Sequence, residues 1–361
     1  MSDSTFFNGK KIVVTGGVGT VGRAVINQML AVPDVKIRVI DNNESGLYEM
    51  EQQLKDHRNL EYLLCDVRDE SELTRTFSGM DLCFHAAAFK HVPLCERNPS
   101  SAVNTNIMGV SAVIKACLHN SVKKAIFTSS DKAVNPTSVM GTSKLMGERL
   151  FTAWNSLASG NHHTVLASTR FGNVAGSSGS VIPLFCTQIE GGGPVTLTDP
   201  DMSRFVMSID DAARLVIRSI ELARGGEVFV TKMPALRIED LAQVLIEMIA
   251  PFYGYDTSKI PIEITGPRPG EKQWEELSTD EERRRIYSNK DFFVVMPVTE
   301  GPWDGPSIDR GGHVLERSQI VYNSREQPHM THSQIREFLM TPGLLPYDVE
   351  HALIQATSLA G

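Results

Sequence analysis

The stretch KIVVTGGVGTVGRAVINQML, residues Lys11–Leu30, decides the fold of this chain. Its first five residues form a short apolar run that is typical of a fully buried strand, and Ala24–Leu30 follow a helical pattern. Between them lies a G-x-x-G-x-x-G loop, Gly16–Gly22, whose glycines let backbone N–H groups approach a pyrophosphate at the positive end of the helix. The order of strand, glycine loop and helix therefore predicts a dinucleotide-binding unit. A glycine-rich turn without a ligand is the alternative.

Acidic residues follow the next two predicted strands. Asp41 ends the strand Lys36–Asp41, 19 residues after Gly22, close to the spacing of about 20 expected for the acid that binds a dinucleotide ribose. A carboxylate accepts from the 2′-hydroxyl and repels a 2′-phosphate, which favours NAD over NADP, whereas capping of the following turn is the other role open to Asp41. Asp66 follows the strand Leu60–Cys65, and it either contacts the adenine amino group or caps a helix.

Strands and helices continue to alternate along the chain. Further strands are predicted at Asp81–Ala88, Lys124–Thr128, Thr164–Arg170 and Glu227–Val230. Such alternation requires a parallel sheet with right-handed crossovers. We therefore expect an α/β fold with a Rossmann-type doubly wound parallel sheet.

The predicted domains follow from where this alternation becomes irregular. We expect a dinucleotide-binding domain at 1–180, to which 208–232 return. A smaller C-terminal α/β region, 181–207 with 233–361, is expected to bind the substrate.

A polar cluster follows the fifth predicted strand. Ser130, Asp131 and Lys132 come directly after its apolar run, and Lys144 lies on the next helix. Met140 precedes Lys144 by one helical turn, so the two share a face. Polar groups at the carboxyl end of a strand lie where α/β sheets bind ligands. The alternative for Asp131 and Lys132 is a plain salt bridge.

The composition is ordinary for a soluble globular protein, with 41% hydrophobic and 22% charged residues. The net charge of −8 gives no support to a nucleic-acid partner. The five cysteines form no CxxC pair and no His/Cys ligand spacing, so we expect buried thiols and no metal site.

No signal peptide and no membrane span are expected, and a cytoplasmic location is predicted. The mixed-sign tract Glu281–Arg285 is expected to be a solvated helix face.

On these residues the chain resembles the extended short-chain dehydrogenases/reductases that act on nucleotide sugars. Within them it is similar to the CapD-like nucleotide-sugar 4,6-dehydratases of bacterial polysaccharide synthesis, whose common substrate is UDP-N-acetylglucosamine. The most specific matching run is Ser130–Pro136. The other matching runs are Thr15–Gly22, Ala87–Pro93, Val139–Lys144, Arg170–Val174 and Gly266–Lys272. Long members of this group carry a membrane region ahead of the catalytic part, and the chain is similar to the soluble catalytic portion.

The resemblance implies a catalytic role for each residue of the polar cluster. Ser130 hydrogen-bonds the substrate 4-hydroxyl, Asp131 is the general acid at O6, and Lys132 is the base at C5. Lys144 holds the nicotinamide ribose. Met140 stands where the superfamily usually has Tyr, and its thioether cannot accept a proton. Our hypothesis is therefore that Asp131 works twice, accepting from O4 during oxidation and donating to O6 during elimination.

The resemblance also implies binding residues. NAD, or alternatively NADP, is expected to be tightly bound and regenerated in each turnover. The expected cofactor-binding residues are Thr15, Gly16, Gly19, Thr20, Val21, Gly22, Asp41, Asp66, Val67, Ala86, Ala87, Ala88 and Lys144. The expected residues for the UDP-sugar substrate are Lys90, His91, Asn173, Val181, Arg204, Arg268 and Glu271.

Two other functions are open on the sequence. A nucleotide-sugar 4-epimerase would oxidise C4 with the same cofactor, but it needs no acid/base pair for elimination and usually keeps the Tyr. A non-catalytic NAD-binding protein is the other. The residues leave UDP and GDP open as the nucleotide, and the superfamily implies a homo-oligomer.

Overall fold

The computed structural model describes residues 4–157, 164–177, 179–267, 270–298, 305–309 and 312–359. Its strands are β1 Lys11–Thr15, β2 Lys36–Asp41, β3 Leu60–Leu64, β4 Leu82–His85, β5 Lys124–Ser130, β6 Val165–Phe171, β7 Asn173–Val174, β8 Val195–Leu197, β9 Ser203–Met207, β10 Val228–Thr231, β11 Ala235–Arg237, β12 Ile262–Ile264, β13 Ile286–Ser288, β14 Phe292–Val295, β15 Ser307–Asp309 and β16 Val314–Ser318. Its α-helices are α1 Thr20–Met29, α2 Glu44–Gln53, α3 Glu70–Thr76, α4 Val92–Arg97, α5 Pro99–Val103, α6 Gly109–His119, α7 Val139–Leu157, α8 Val181–Glu190, α9 Ile209–Leu222, α10 Ile238–Ile249, α11 His332–Leu339 and α12 Tyr347–Leu359.

The chain divides into two compact units, and the first comprises residues 1–171, 210–232 and 276–321. Its sheet has the order β15-β16-β13-β14-β10-β6-β5-β4-β1-β2-β3. The seven strands from β3 to β10 pair in parallel, whereas β14, β13, β16 and β15 add antiparallel strands at the other edge. The expected α/β fold with a parallel Rossmann-type sheet is confirmed.

Residues 276–321 belong to this first unit, although the sequence placed them in the C-terminal region. The apolar run Phe292–Val295, β14, pairs antiparallel with β10, and β13 pairs antiparallel with β14. The strand–helix alternation ends well before this segment, so the sequence pattern contains no signal for its return to the sheet.

The second unit comprises residues 172–209, 233–275 and 322–361. It contains two small sheets, β11-β9-β7 and β12-β8. Helices α8 and α10 pack against each other, and α10 also packs against α11. Fully buried residues such as Ile189, Leu241 and Leu339 belong to its hydrophobic core.

Two strand ends differ from the expected ones at the polar cluster. β5 continues through Ser129 and Ser130, so the serine lies at the end of the strand itself. β4 ends at His85, and Ala86–Ala88 follow it outside the strand. The carboxyl ends of β4 and β5 are neighbours because these strands pair in parallel.

One helical run is longer and more apolar than the sequence led us to expect. Pro99–His119 has 21 residues, and an 18-residue window within it has a mean hydropathy of 1.2, which meets the length and composition of a membrane span. Of this window, 61% is buried inside the protein, as in the core helix of a soluble fold. Among the described residues, no second helix meets the same criterion.

Candidate active site

The glycine loop brings β1 close to the segment after β4. Gly16 has a φ of +69°, and a Cβ there would lie 2.5 Å from the backbone nitrogen of Ala87. A Cβ on Gly22 would lie 2.2 Å from the carbonyl oxygen of Gly16. The N-cap of α1 is Gly19, which offers no side-chain cap. The first N–H groups of α1 therefore have no intrahelical acceptor and can bind an anion.

Asp41 ties the end of β2 to this loop. One carboxylate oxygen accepts from the backbone N–H of Val18 at 3.2 Å, and the other accepts from the N–H of Asn43 at 3.0 Å. Asn43 in turn caps α2 by accepting from Gly46. Through Asn43, Asp41 supports the turn after β2, which is the capping role expected as one alternative. Through Val18 it also lies against the glycine loop, where the other alternative, a ribose-binding acid, would have to lie.

Asp66 does not cap a helix, because Asp69 is the N-cap of α3. Asp66 instead accepts from the backbone N–H of Arg68 at 2.9 Å and from its Nε at 2.8 Å. The hydrogen bonds from Arg68 lower the pKa of Asp66 to about 2 against the effect of burial. Val67, the next expected cofactor residue, is buried, and a Cβ on Gly109 at the start of α6 would lie 3.0 Å from its Cγ2.

The sequence did not single out His85, the last residue of β4. Its ring is fully buried, and Nδ1 lies 2.6 Å from the hydroxyl of Thr15. Within the described part of the chain, its Nε2 has no hydrogen-bond partner. Burial, together with the charge of Lys144, lowers the pKa of His85 to about 3. His85 is therefore neutral in the folded protein at any pH well above 3.

His85→Asn is expected to remove one contribution to acid denaturation while leaving an amide near Thr15. The unfolded chain binds a proton at this histidine below about 6.5, whereas the folded chain does so only near 3. Wild-type stability therefore falls as the pH falls through this window, by about 1.4 kcal/mol per pH unit for this proton. Urea unfolding of both proteins from pH 5 to 8 measures this. The advantage of wild type over the variant should shrink at acid pH, and a constant difference would contradict the assignment.

Ser130, Asp131 and Lys132 form one contiguous polar group. Asp131 begins a short 3₁₀ turn after β5, and its side chain is only 3% exposed, against 35% for Lys132. The Ser130 hydroxyl donates to Asp131 Oδ1 at 2.7 Å. Lys132 Nζ donates to both carboxylate oxygens, at 3.1 and 2.9 Å. The structure thus brings the three residues together, and Asp131 and Lys132 form an ion pair.

Gly141 on α7 makes a close approach to this turn. A Cβ at Gly141 would lie 2.2 Å from the carbonyl oxygen of Lys132 and 3.2 Å from Pro136. The position of Lys132 therefore depends on the absence of a side chain one helix away.

Gly141→Ala is expected to displace Lys132. Because the resemblance implies that Lys132 is the base at C5, turnover of the nucleotide sugar should fall by roughly 100-fold, the cost of misplacing a reacting group by about 1 Å. Steady-state kinetics on the folded variant measures the loss. Met146→Ala is the matched control, since Met146 is 45% exposed on the same helix. Turnover of Gly141→Ala within twofold of wild type would show that the turn absorbs the methyl group.

Met140 and Lys144 share one face of α7, and both are buried. Met140 packs in a small apolar cluster with Cys95 and Ala102. Lys144 Nζ donates to the carbonyl oxygen of Thr128 at 2.9 Å and lies 4.8 Å from the centre of the Phe127 ring. Burial lowers the pKa of Lys144 to about 8, against the opposing charges of Glu148 and Cys95.

Asn106 holds the segment that carries Ala86–Ala88. Its amide oxygen accepts from the backbone N–H of Phe89 at 2.8 Å, and its amide nitrogen donates to the Phe89 carbonyl at 3.0 Å. The same nitrogen donates to the Ser143 hydroxyl on α7 at 2.9 Å. Asn106 lies in a π-helical turn, a feature frequent at functional sites. Lys90 and His91 follow in this segment, and both are exposed.

A buried ion network includes Glu148, which follows Lys144 by four residues on α7, and no sequence motif indicates it. Arg170 at the end of β6 donates from Nε to Glu148 Oε1 at 3.0 Å and from Nη2 to Glu148 Oε2 at 2.6 Å. Its Nη1 and Nη2 also donate to both oxygens of Glu282, at 3.0 and 2.9 Å. The solvated face expected at 281–285 is confirmed for Glu281, Arg283 and Arg284, which are exposed, and is wrong for Glu282 and Arg285, which are buried. The i,i+4 spacing of Lys144 and Glu148 is the one local signal for this network.

Within the second unit, Asn173, Arg204 and Glu271 lie around Glu275. Asn173 Nδ2 donates to Glu275 Oε1 at 2.8 Å, and Arg204 Nε lies 3.3 Å from the same oxygen. Arg204 also donates to the backbone carbonyl of Lys272 at 2.8 Å and lies 3.6 Å from Glu271. Arg204 therefore holds the 271–275 segment, a role additional to its expected contact with the UDP-sugar substrate.

Besides Lys90 and His91, the expected substrate residues include Val181 and Arg268. Val181 begins α8 and is half-buried, whereas Arg268 lies outside the described residues. Glu275 was not among the expected site residues, because no sequence motif marks it. Its place in this group is shown by its contacts with Asn173 and Arg204.

Comparison with known proteins identifies relatives over nearly the whole chain. An uncharacterized membrane protein of Methanocaldococcus jannaschii is 44% identical over 336 residues, 93% of this chain and 97% of the relative. A UDP-glucose 4-epimerase of Rickettsia canadensis is 35% identical over 355 residues, 96% of this chain and 100% of the relative. The X-ray structure of Pen from Bacillus thuringiensis superposes with a TM-score of 0.86 at 36% identity, covering 94% of this chain and 100% of Pen.

The family described as polysaccharide biosynthesis protein matches residues 12–297. This range runs from β1 through β14 and includes the glycine loop, the Ser130–Lys132 group and α7. The chain therefore belongs to this polysaccharide biosynthesis family.

Proposed function

We propose that this protein is an NAD-dependent 4,6-dehydratase that converts UDP-N-acetylglucosamine, or a close NDP-N-acetylhexosamine, to its 4-keto-6-deoxy derivative. The observation that carries the proposal is the buried Asp131 carboxylate between the Ser130 hydroxyl and the Lys132 amine. Elimination of water across C5 and C6 needs an acid at O6 and a base at C5, and this pair supplies both functional groups.

The residues fit a dinucleotide cofactor. The glycine contacts leave no room for side chains at Gly16 and Gly22, and α1 begins without a side-chain cap. A pyrophosphate would accept from the free N–H groups of α1, and Asp41 would accept from a ribose hydroxyl. When bound, NAD would accept hydride from C4 of the sugar and return it to C6.

The proposed roles impose a proton balance on the Asp131–Lys132 pair. Lys132 must lose its ammonium proton before it takes the proton from C5, and its partly exposed side chain gives this proton a route to water. Asp131 accepts the proton from O4 during oxidation and delivers it to O6, which leaves as water. The Lys132 ammonium then returns a proton to C5, which restores the neutral amine. Ser130 orients the 4-hydroxyl, and Lys144 holds the nicotinamide ribose.

The absence of Tyr on α7 supports this division of roles. Met140 is buried among Cys95 and Ala102 and offers no proton acceptor. Under the proposal, Asp131 therefore takes over the O4 proton. Asn173, Arg204, Arg268 and Glu271 remain our proposed contacts to the nucleotide diphosphate, with Arg204 acting partly through the 271–275 segment that it holds.

A 4-epimerase is the second candidate, because a relative that is 35% identical over 96% of this chain is called a UDP-glucose 4-epimerase. An epimerase would use Ser130 and Lys144 at C4 in the same way, but it would leave C5 and O6 untouched. Asp131 and Lys132 would then form an ion pair without a role in the reaction.

Incubation of the protein with UDP-N-acetylglucosamine in D2O separates these functions. Loss of one water with deuterium at C5, seen by mass spectrometry and NMR, supports the dehydratase. An isomer of unchanged mass without deuterium at C5 supports the epimerase. If no nucleotide sugar is turned over, both are wrong and a non-catalytic cofactor-binding protein is favoured. Nucleotide released on denaturation identifies the cofactor.

A further inference from the structure

The ion network of Glu148, Arg170 and Glu282 carries unequal numbers of positive and negative charges. Arg170 is 1% exposed, Glu148 is 3% exposed, and Glu282 is 6% exposed at the side chain. Arg170 uses Nε, Nη1 and Nη2 on these two carboxylates and on the carbonyl oxygen of Leu277, 2.8 Å away. Two carboxylates and one guanidinium leave one surplus negative charge, because Arg285, the other cation that acts on Glu282, is itself paired with Glu281 at 2.8 Å. A surplus buried charge is costly unless it is paired.

Lys144 is a buried cation on which the Glu148 charge acts. Glu148 follows Lys144 by four residues on α7, so the two side chains lie on the same helix face. Lys144 is itself buried, and its neighbours on β5 are the Thr128 carbonyl and the Phe127 ring. With the Lys144 ammonium included, the four side chains sum to zero charge.

We propose that the Glu148–Arg170–Glu282 network is the counter-charge that keeps the Lys144 amine protonated in its buried site. Glu148 is then a positioning residue, because it acts through Lys144, and Arg170 and Glu282 act by fixing Glu148. The inference rests on the proposed function only for what Lys144 does in turnover, since the charge balance is a property of the folded chain.

The other titratable groups around Lys144 do not replace this counter-charge. Cys95 on α4 acts on Lys144 less strongly than Glu148 does. His85 on β4 is neutral, because burial and the Lys144 charge hold its pKa near 3. Asp131, on the turn that packs against α7, is paired with Lys132. Glu282 stays charged in the interior, since Arg170 lowers its pKa to about 2 against burial.

The test is the pH dependence of unfolding. Lys144 titrates near 8 in the folded protein and near its ordinary 10.5 in the unfolded chain. Between these values the unfolded chain holds a proton that the folded chain has released, so this group's contribution to stability rises with pH. The difference between wild type and Lys144→Met, measured by denaturant unfolding from pH 6 to 10, isolates this rise from other groups such as Lys124.

The decisive comparison repeats this measurement in proteins that carry Glu148→Gln, again with and without Lys144→Met. We expect the onset of the rise to move down by about one pH unit or more, because an opposite charge next to the amine is lost. Glu148→Asp, which keeps the charge, should leave the onset near pH 8. Glu282→Gln removes the other carboxylate charge bound by Arg170 and should shift the onset in the same direction. This variant replaces Glu148→Gln in the test if Glu148→Gln does not fold.

Glu221→Gln is the matched control, because Glu221 is a buried carboxylate paired with Arg218 on α9. Its onset should equal that of wild type. An unchanged onset in both Glu148→Gln and Glu282→Gln would overturn the inference. The alkaline limb of the pH profile of turnover should move together with the onset. If wild type turns over no nucleotide sugar, the proposed function fails, whereas the unfolding measurement still decides on the network.

Discussion

Asp131→Asn is expected to abolish both the reduction of bound cofactor and the loss of water from UDP-N-acetylglucosamine. The carboxylate is buried and accepts from Ser130 and Lys132, and no Tyr stands on α7 to take the O4 proton. An amide cannot accept or deliver that proton, and loss of one general acid–base group costs typically 10²- to 10⁴-fold. Single-turnover absorbance of reduced nicotinamide and mass analysis of the sugar measure the two steps separately.

Lys132→Met is the control for this experiment. It removes the base at C5 but leaves the Asp131 carboxylate, so the cofactor should still become reduced while water is retained. Reduction of the cofactor by Asp131→Asn at a rate near that of wild type would refute the double role of Asp131. The acid at O6 would then be its one remaining task.

Arg170→Met is expected to destabilise the protein by about 3–5 kcal/mol, the cost of removing one partner from a buried ion pair. Both Glu148 and Glu282 lose their bidentate donor, and the carbonyl of Leu277 loses a hydrogen bond. The free energy of unfolding from guanidinium titration measures the effect. Restoring charge balance with Glu148→Gln and Glu282→Gln in the Arg170→Met background should recover part of the loss.

Arg336→Met gives a matched control, because Arg336 pairs with Glu247 and both side chains are 45% exposed. An exposed pair contributes at most about 1 kcal/mol. If Arg170→Met costs no more than Arg336→Met, the network does not behave as a buried one.

The structural features around the candidate site that the sequence predicted correctly are those encoded by short-range patterns. β1 and β2 have the predicted bounds, since a buried parallel strand reads as a continuous apolar run. Ser130, Asp131 and Lys132 are adjacent in sequence, so any turn after β5 keeps them together. Met140 and Lys144 share a face because one helical turn separates them.

The parts that the sequence did not predict depend on partners far away in the chain. Arg170 meets Glu148 across 22 residues and Glu282 across 112 residues, and in the sequence Glu282 is one charge in a mixed-sign tract. A helix cap was one of the two roles expected for Asp66, but in the structure Asp69 is the N-cap of α3 and Asp66 binds Arg68. His85 ended an apolar strand, and its burial against Thr15 depends on the pairing of β1 with β4.

The sequence by itself determined the Rossmann-type sheet, the glycine loop and the catalytic candidates at the end of β5, because periodicity and residue spacing are local properties. The tertiary structure alone decided that 276–321 return to the sheet, that Arg204 holds 271–275, and that a net negative ion network surrounds Arg170. The physical reason is that the free energy of a buried charge depends on every group packed around it. Those groups come from strands and helices that only folding brings together.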